Sequence, residues 1–142
     1  MHQAEMRPDI ERLQACLGEW FAPWIQALNL HVTALEDHAV SLRLPVTPQL
    51  TRVGDILCGQ AMMAAADTAM VLAICRALGT TQQPMTTVQL NTSFLRPLSA
   101  QDAVVRAEVL RAGKSLVFGE ITLHGATDGK CVCKASTTYA LL

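Results

Sequence analysis

Residues 59–78 read GQAMMAAADTAMVLAICRAL, and Gly79 follows them. Alanine, methionine and leucine favour helix, and a glycine directly after such a run is the usual C-cap. Apolar side chains occupy nearly every face of this helix instead of one stripe, which is typical of a helix enclosed by its own fold. A membrane span is disfavoured, because the run carries Asp67 in its middle and is marginal in length for a bilayer. The sequence therefore predicts a long, buried central helix over about residues 59–78.

Strand patterns flank the central helix on both sides. Before it, apolar and polar residues alternate over 30–34 and over 40–44, which indicates a hairpin with Ala34 on its apolar side, and a loop over 45–55 follows. After it, alternation predicts four strands, at residues 86–95, 103–111, 116–124 and 130–140. Val88, Leu90 and Phe94 form the apolar side of the first of these. This order predicts an α+β domain in which a curved antiparallel sheet wraps around the central helix.

The chain before the hairpin is predicted to form an N-terminal tail and helix, residues 1–27, ahead of a single domain of residues 28–142. Pro8 and Asp9 open the helix, and apolar residues recur at helical spacing as far as Trp20. Pro23 limits or bends the helix.

Composition excludes several classes of protein. The 142 residues are 51% apolar and 16% charged, with a net charge of −1. These apolar residues are enough for one hydrophobic core. The net charge indicates no basic surface, so a nucleic-acid partner is not expected. Because the apolar content exceeds what a small domain can bury, a homo-oligomer is favoured. The five cysteines form an odd count without a CxxC pair. Because no signal peptide precedes them, we expect reduced thiols, a cytoplasmic protein and no metal site.

Asp67 is the residue most suggestive of chemistry, because a carboxylate in an apolar helix is costly unless it gains hydrogen-bond donors. It is either structural, bound to backbone or to Thr68, or catalytic. Gly59 offers a second element at the helix start, where unpaired N–H groups can hold an oxyanion, although a glycine that merely ends a loop is the simpler interpretation. A rise of 1.5 Å per residue separates Gly59 from Asp67 by about 12 Å, too far for one carbonyl to touch both. Two copies of the helix, antiparallel about a two-fold axis, would bring the start of one to the middle of the other, so we expect a dimer with shared sites.

Two stretches, LCGQAMMAAADTAMVL at residues 57–72 and TVQLNTSFLRP at residues 87–97, resemble the hotdog-fold acyl-CoA thioesterases of the phenylacetate-degradation branch. The resemblance extends over residues 28–142 and reproduces the order of elements predicted above. Members of that family carry His-Gly-Gly at the helix start and an acid at the spacing that Asp67 has here; Cys58-Gly59-Gln60 occupies the tripeptide position. The resemblance implies that Asp67 is the nucleophile or general base toward the thioester and that the Gly59 N–H polarises its carbonyl.

The sequence departs from the family pattern around this pair. Cys58 replaces the histidine and Gln60 the second glycine, Arg52 stands where Asn or Gln is usual, and Val71 stands where Ser or Thr often positions water. Cys58 is either a small packing residue or a weak donor near the carbonyl. Hydrolysis remains the expected activity, because Asp67 and Gly59 are both retained.

Further contacts are expected along an acyl-CoA substrate, whose coenzyme A enters as part of the substrate and not as a separate cofactor. The turn between the second and third predicted strands after the helix is the segment that in relatives meets the nucleotide and phosphates. The polar residues of the first strand would line the pantetheine channel, with a solvated strand edge as the alternative. The expected substrate-binding residues are Arg52, Cys58, Gln60, Asn91, Ser93, Arg96, Arg111, Lys114 and Ser115.

The acyl group is expected to be medium-chain or aromatic, because the surroundings are mostly apolar. Trp20, Phe21 and Trp24 either pack the first helix onto the sheet or roof the acyl pocket. A non-catalytic acyl-CoA-binding module remains the alternative function, given the departures from the pattern. A hydratase or dehydratase is a weaker one, since that chemistry relies on a histidine near the helix and none lies between His38 and His124. The sequence therefore favours an acyl-CoA thioesterase acting as a homodimer or a dimer of dimers.

Overall fold

The computed structural model describes residues 7–142, so most of the predicted tail lies outside the described residues. The helices are α1 (Ile10–Leu17), α2 (Pro23–Gln26) and α3 (Gly59–Leu78), and the strands are β1 (His31–Leu35), β2 (Ala39–Leu44), β3 (Thr51–Arg52), β4 (Ile56–Leu57), β5 (Met85–Phe94), β6 (Ala103–Ala112), β7 (Leu116–Gly125) and β8 (Cys131–Leu141). Six strands form an antiparallel sheet in the order β1-β2-β6-β7-β8-β5, and β3 pairs with β4 alone. The strands β5 to β8 confirm the four predicted after the central helix.

The central helix α3 occupies the predicted residues and organises the fold. It ends at Gly79, whose φ of 77° is left-handed and whose N–H donates to the carbonyl of Cys75, as a helix C-cap requires. The helix packs on β2, β6 and β7, the middle of the sheet. Within the described chain it is the helix long and apolar enough to cross a membrane, yet 61% of its apolar stretch is buried inside the fold. Its apolarity is therefore that of a core helix, and the predicted architecture is confirmed.

Helix α1 covers the β1 side of the core. It begins where predicted, with the Asp9 carboxylate accepting a hydrogen bond from the Arg12 N–H at 2.8 Å. The helix ends at Leu17, and the predicted continuation to Trp20 is wrong: the chain turns at Gly18, and Trp20 lies in that turn. Pro23 then begins the separate single turn of α2.

The segment predicted as a plain loop over residues 45–55 contains local structure. A 3-10 turn at Pro48–Leu50 leads into the β3–β4 hairpin, whose turn places Gly54 and Asp55 at positive φ. The Cys58 N–H donates to the Leu50 carbonyl at 2.9 Å. This hairpin fixes the start of α3, and its strands of two residues each are too short to show alternation.

Two β-bulges change which side chains face the core. The register shifts between Val32 and Ala34 in β1 and between Thr87 and Gln89 in β5. One extra residue in a strand reverses the facing of the residues on one side of it. Ala34 and Val88, both predicted on the apolar side, are therefore exposed, Val88 by 59%. In β5 the same shift turns Thr87 inward, opposite Tyr139 of β8.

Gly119 of β7 lies where Met70 of α3 packs directly against the sheet. A Cβ on Gly119 would overlap the end of the Met70 side chain and lie 2.9 Å from the Glu108 carbonyl oxygen. We expect Gly119→Ala to lower the free energy of unfolding by about 1–3 kcal/mol, as overpacking of a filled core does. Urea denaturation followed by circular dichroism measures the difference.

Gly18→Ala is the matched control, because its φ of −94° suits alanine and the nearest neighbour of the added Cβ is 3.7 Å away. Equal stability of the two variants would contradict the prediction, since it would mean that Met70 and β6 yield without cost.

Candidate active site

A cavity of about 520 Å³ opens over the middle of α3. Its polar lining includes Asp67, Thr87 and Tyr139. The large apolar residues of its wall are Phe21, Trp24, Ile25, Met63, Val71, Met85 and Leu90. A carboxylate in a mainly apolar cavity with a few polar groups is the arrangement expected of a ligand site.

Two hydroxyl groups hold one oxygen of the Asp67 carboxylate. Thr87 Oγ1 donates to Asp67 Oδ1 at 2.9 Å, and the Tyr139 hydroxyl donates to the same oxygen at 2.5 Å. The Tyr139 hydroxyl also lies 2.9 Å from the backbone carbonyl oxygen of Asp67. Over residues 7–142, no cation pairs with this carboxylate. The charge of Asp67 is therefore oriented by neutral donors and is not consumed in an ion pair.

The second carboxylate oxygen, Asp67 Oδ2, receives no side-chain donor from the described residues. Among the described residues, the one fully buried side-chain oxygen or nitrogen without a hydrogen-bond partner is Thr92 Oγ1. Asp67 Oδ2 also lacks a partner, so it is not fully buried. Because Asp67 lines the cavity, a reacting group there can reach this oxygen.

Thr87 and Tyr139 are functional candidates that the sequence did not reveal. Alternation in β5 placed Thr87 on the outer face, and the bulge at Val88 reverses that. Tyr139 carries a weak signal, being the chain's single tyrosine on the inward side of β8. Of the two predicted structural partners of Asp67, backbone or Thr68, Thr68 is wrong, because its hydroxyl donates instead to the Ala64 carbonyl at 2.7 Å.

Tyr139 is a donor at neutral pH. Burial, and after it the hydrogen bond to Asp67, raises the pKa of Tyr139 well above its usual value. The hydroxyl therefore keeps its proton under physiological conditions and presents it to the carboxylate.

The start of α3 is open. Cys58 is the N-cap residue but its side chain makes no capping hydrogen bond, and the first turn has no acidic residue. The Gly59 N–H makes no hydrogen bond to the backbone of residues 7–142. A Cβ on Gly59 would lie 3.3 Å from the ring of Phe94, so glycine leaves room for that ring beside the helix start. Within one protomer, Gly59 and Asp67 remain about 12 Å apart along α3.

The structure distributes the remaining predicted residues over several regions. Asn91 and Ser93 line a polar cavity of about 230 Å³ with Glu120 and Lys134, on the face of the sheet that points away from α3. Gln60 is the member of the predicted substrate-binding set that shares the cavity with Asp67. Exposed positions away from that cavity are occupied by Arg52 on β3, Arg96 after β5, and Arg111, Lys114 and Ser115 at the β6–β7 turn.

A second cavity, of about 340 Å³, adjoins the first. Phe21, Val71 and Met85 belong to the walls of both cavities, and Trp20 and residues 81–84 complete the second. Because they share these walls, we describe the two cavities together as a groove, which extends from Asp67 in α3 to residues 81–84 beyond the end of the helix. The aromatic residues near the N-terminus therefore roof a groove instead of only packing α1 onto the sheet.

The cysteines are unreactive where they are buried. Burial raises the pKa of Cys75 to about 12 and that of Cys133 to about 11, so both thiols stay protonated at neutral pH. All five cysteines are free. In the described part of the chain, no three His, Cys, Asp or Glu side chains converge on a point where they could hold a metal ion.

Comparison with known proteins assigns the family. The profile of the family described as "Thioesterase superfamily" matches residues 54–132, more than half of the chain and including all of α3. The chain belongs to the thioesterase superfamily. A protein from Saccharolobus solfataricus that is named as a candidate esterase is 30% identical to this superfamily member over 115 residues, which are 81% of this chain and 80% of the relative.

Solved structures of similar fold carry thioesterase names. A candidate thioesterase from Silicibacter superposes with a TM-score of 0.86 at 27% identity, covering 97% of this chain and 94% of that one. A thioesterase from Haemophilus influenzae superposes with a TM-score of 0.84 at 19% identity, covering 94% and 90% of the two chains, and shows the fold alone. The hotdog fold of this superfamily member is thereby confirmed, and thioester hydrolysis is the supported class of activity.

Proposed function

We propose that the protein is an acyl-CoA thioesterase of the phenylacetate-degradation branch and that Asp67 is its catalytic carboxylate. The observation that carries this proposal is the orientation of Asp67, which lines a mainly apolar cavity with Oδ1 held by two hydroxyls and Oδ2 without a side-chain donor from the described residues. A carboxylate so held is placed to act on a thioester carbonyl without first being freed from an ion pair.

The chemistry uses two positions of α3, its start at Gly59 and its middle at Asp67. Asp67 Oδ2 takes a proton from a water molecule, and the hydroxide formed attacks the thioester carbonyl carbon. The carbonyl oxygen becomes an oxyanion that the Gly59 N–H and the helix dipole stabilise. The carbon–sulfur bond then breaks, the carboxylic acid leaves, and Asp67 returns its proton to the coenzyme A thiolate. In the alternative, Oδ2 attacks the carbonyl directly and water hydrolyses the resulting anhydride.

The acyl group occupies the groove along α3. Its walls are mainly apolar and aromatic, which supports a medium-chain or aromatic acyl group over a small polar one. The coenzyme A part lies outside the groove, where Arg111 and Lys114 are exposed and form no ion pair with residues 7–142. Their charges suit the phosphates of the nucleotide.

A homodimer completes the site. Gly59 and Asp67 of one protomer are too far apart to share a carbonyl, so Gly59 works with Asp67 of the partner subunit. Among residues 7–142, no strand pairs with the outer edge of β5, and this strand of ten residues carries exposed Val88 and Phe94, which favours pairing with a second copy. Sedimentation equilibrium is expected to give a dimer or a tetramer, and a monomer that is active would contradict the shared site.

The function is tested with purified full-length protein and a panel of thioesters. We expect hydrolysis of octanoyl-CoA, phenylacetyl-CoA and benzoyl-CoA, followed as thiol release, with higher kcat/KM than for acetyl-CoA. Oxygen esters of the same acids are the control for general esterase activity. Binding of acyl-CoA without turnover across the panel would favour the non-catalytic binding module and overturn the proposal.

A further inference from the structure

We propose that Tyr139 is a positioning residue for the reaction, which fixes the Asp67 carboxylate so that Oδ2 is the reacting oxygen; this inference rests on the proposed function. Tyr139 is 2% exposed and its hydroxyl contacts Asp67 at two atoms, the side-chain oxygen Oδ1 and the backbone carbonyl oxygen. The hydroxyl proton goes to Oδ1, and the 2.9 Å separation from the carbonyl oxygen means that Tyr139 lies directly against the helix backbone at Asp67.

The geometry leaves the carboxylate little freedom. Thr87 and Tyr139 are directly opposite each other on the paired strands β5 and β8, and both face α3. Rotating Asp67 about its side-chain bonds would break both hydrogen bonds to Oδ1 at once. Hydrogen bonds to a charged group are worth roughly twice those between neutral groups, so this pair outweighs the rotameric freedom of a short side chain. Oδ2 is thereby held towards the cavity before substrate arrives.

Tyr139 has a role beyond filling the core. A phenylalanine would fill the same space without the cost of burying a hydroxyl. The hydroxyl is satisfied through the residue on which the proposed reaction depends, whereas the other buried hydroxyl of the inner face of β8, that of Thr137, donates to the backbone carbonyl of Gln89 at 2.8 Å. Thr137 is therefore a matched reference for a buried hydroxyl with a purely structural partner.

The test compares Tyr139→Phe with Thr137→Val in steady-state hydrolysis of the best substrate of the panel. We expect Tyr139→Phe to lower kcat by about 10- to 100-fold, the rate equivalent of one hydrogen bond to a charged group, with KM changed less than about 2-fold. Thr137→Val is expected to leave both constants near those of the wild type. In an Asp67→Asn background, Tyr139→Phe is expected to lower kcat by no more than about 2-fold, because the group that it positions is already removed.

A spectroscopic measurement serves if Tyr139→Phe does not fold. Tyr139 is the chain's single tyrosine, so 3-fluorotyrosine incorporation labels this position alone. We expect one ¹⁹F resonance that Asp67→Asn shifts and Thr137→Val does not.

The outcomes separate the two proposals. No turnover by wild-type protein with any thioester overturns the proposed function, and this inference with it. If the wild type turns over thioesters, three results would each overturn the positioning role and leave the proposed function standing. They are equal kcat in Tyr139→Phe and Thr137→Val, additive losses of kcat in the Asp67→Asn background, and a ¹⁹F resonance that Asp67→Asn does not shift.

Discussion

Asp67→Asn is expected to lower kcat for thioester hydrolysis by about 10²- to 10⁴-fold, the range that a positioned general base contributes. Asparagine has the shape of aspartate and keeps an oxygen that can accept from Thr87 and Tyr139, so the fold around the site is retained. What it loses is the basic oxygen at the position of Oδ2, where the amide nitrogen can neither take a proton nor attack a carbonyl. The measurement is kcat and KM of both proteins on the same thioester, with the loss confined to kcat.

The control for this variant is Asp55→Asn, which makes the same chemical change outside the cavity. Asp55 is exposed in the β3–β4 turn at a φ of 57°, a conformation that asparagine tolerates. Its kinetics are expected to match those of the wild type. If Asp67→Asn retains wild-type kcat while its circular dichroism and thermal stability are unchanged, Asp67 is not the catalytic group and the mechanism proposed above is wrong.

The fold was largely predictable because its main elements follow local rules. The composition of α3 and the glycine after it set the helix and its end to the residue. The sequence could not show that α1 stops at Leu17, because the apolar spacing continues to Trp20 while Gly18 turns the chain. The β3–β4 hairpin could not be predicted either, because strands of two residues are too short to show an alternating pattern.

The candidate site was predictable in part. The bulge in β5 explains much of the difference between the predicted and the observed site residues. Asp67 stands out in the sequence because a carboxylate is unusual in an apolar helix. Its partner Thr87 faces inward through the register shift at Val88, and a bulge of this kind leaves no mark in the alternation of β5. Asn91, beyond the bulge, points away from α3, so strand polarity alone could not group the substrate-binding candidates around Asp67.

The sequence also left open whether the N-terminal aromatic residues touch the site. Helical spacing relates residues within α1, but it says nothing about how the separate turn of α2 lies over α3. Phe21 and Trp24 reach the cavity because the chain reverses after Gly18 and Pro23 begins a new helix. The acyl groove is therefore a product of tertiary packing between segments that are distant in the chain.

Val71→Phe is expected to convert the protein into a short-chain thioesterase. Val71 lies one helical turn beyond Asp67 and belongs to the walls of both cavities, as do Phe21 and Met85. These three residues form a neck between the two cavities. A phenyl ring at position 71 leaves space for a short acyl group beside Asp67 but blocks access to the second cavity. We expect kcat/KM for decanoyl-CoA to fall by about 100-fold, within the range of specificity set by a few methylene groups, while that for butanoyl-CoA changes less than about 3-fold.

Two further variants test whether the size of residue 71 sets the preferred acyl chain length. Val71→Ala widens the same neck, so the preferred acyl chain is expected to lengthen, opposite to the effect of Val71→Phe. Val53→Phe is the control for the added ring, because Val53 is 91% exposed in the β3–β4 turn and lines neither cavity of the groove. A uniform loss of kcat/KM across all chain lengths in Val71→Phe would indicate disturbance of Asp67 and not a blocked groove. An unchanged chain-length profile would mean that the acyl group binds outside the groove. If the acyl group did extend past position 71, the added ring would lower kcat/KM for long acyl chains more than for short ones.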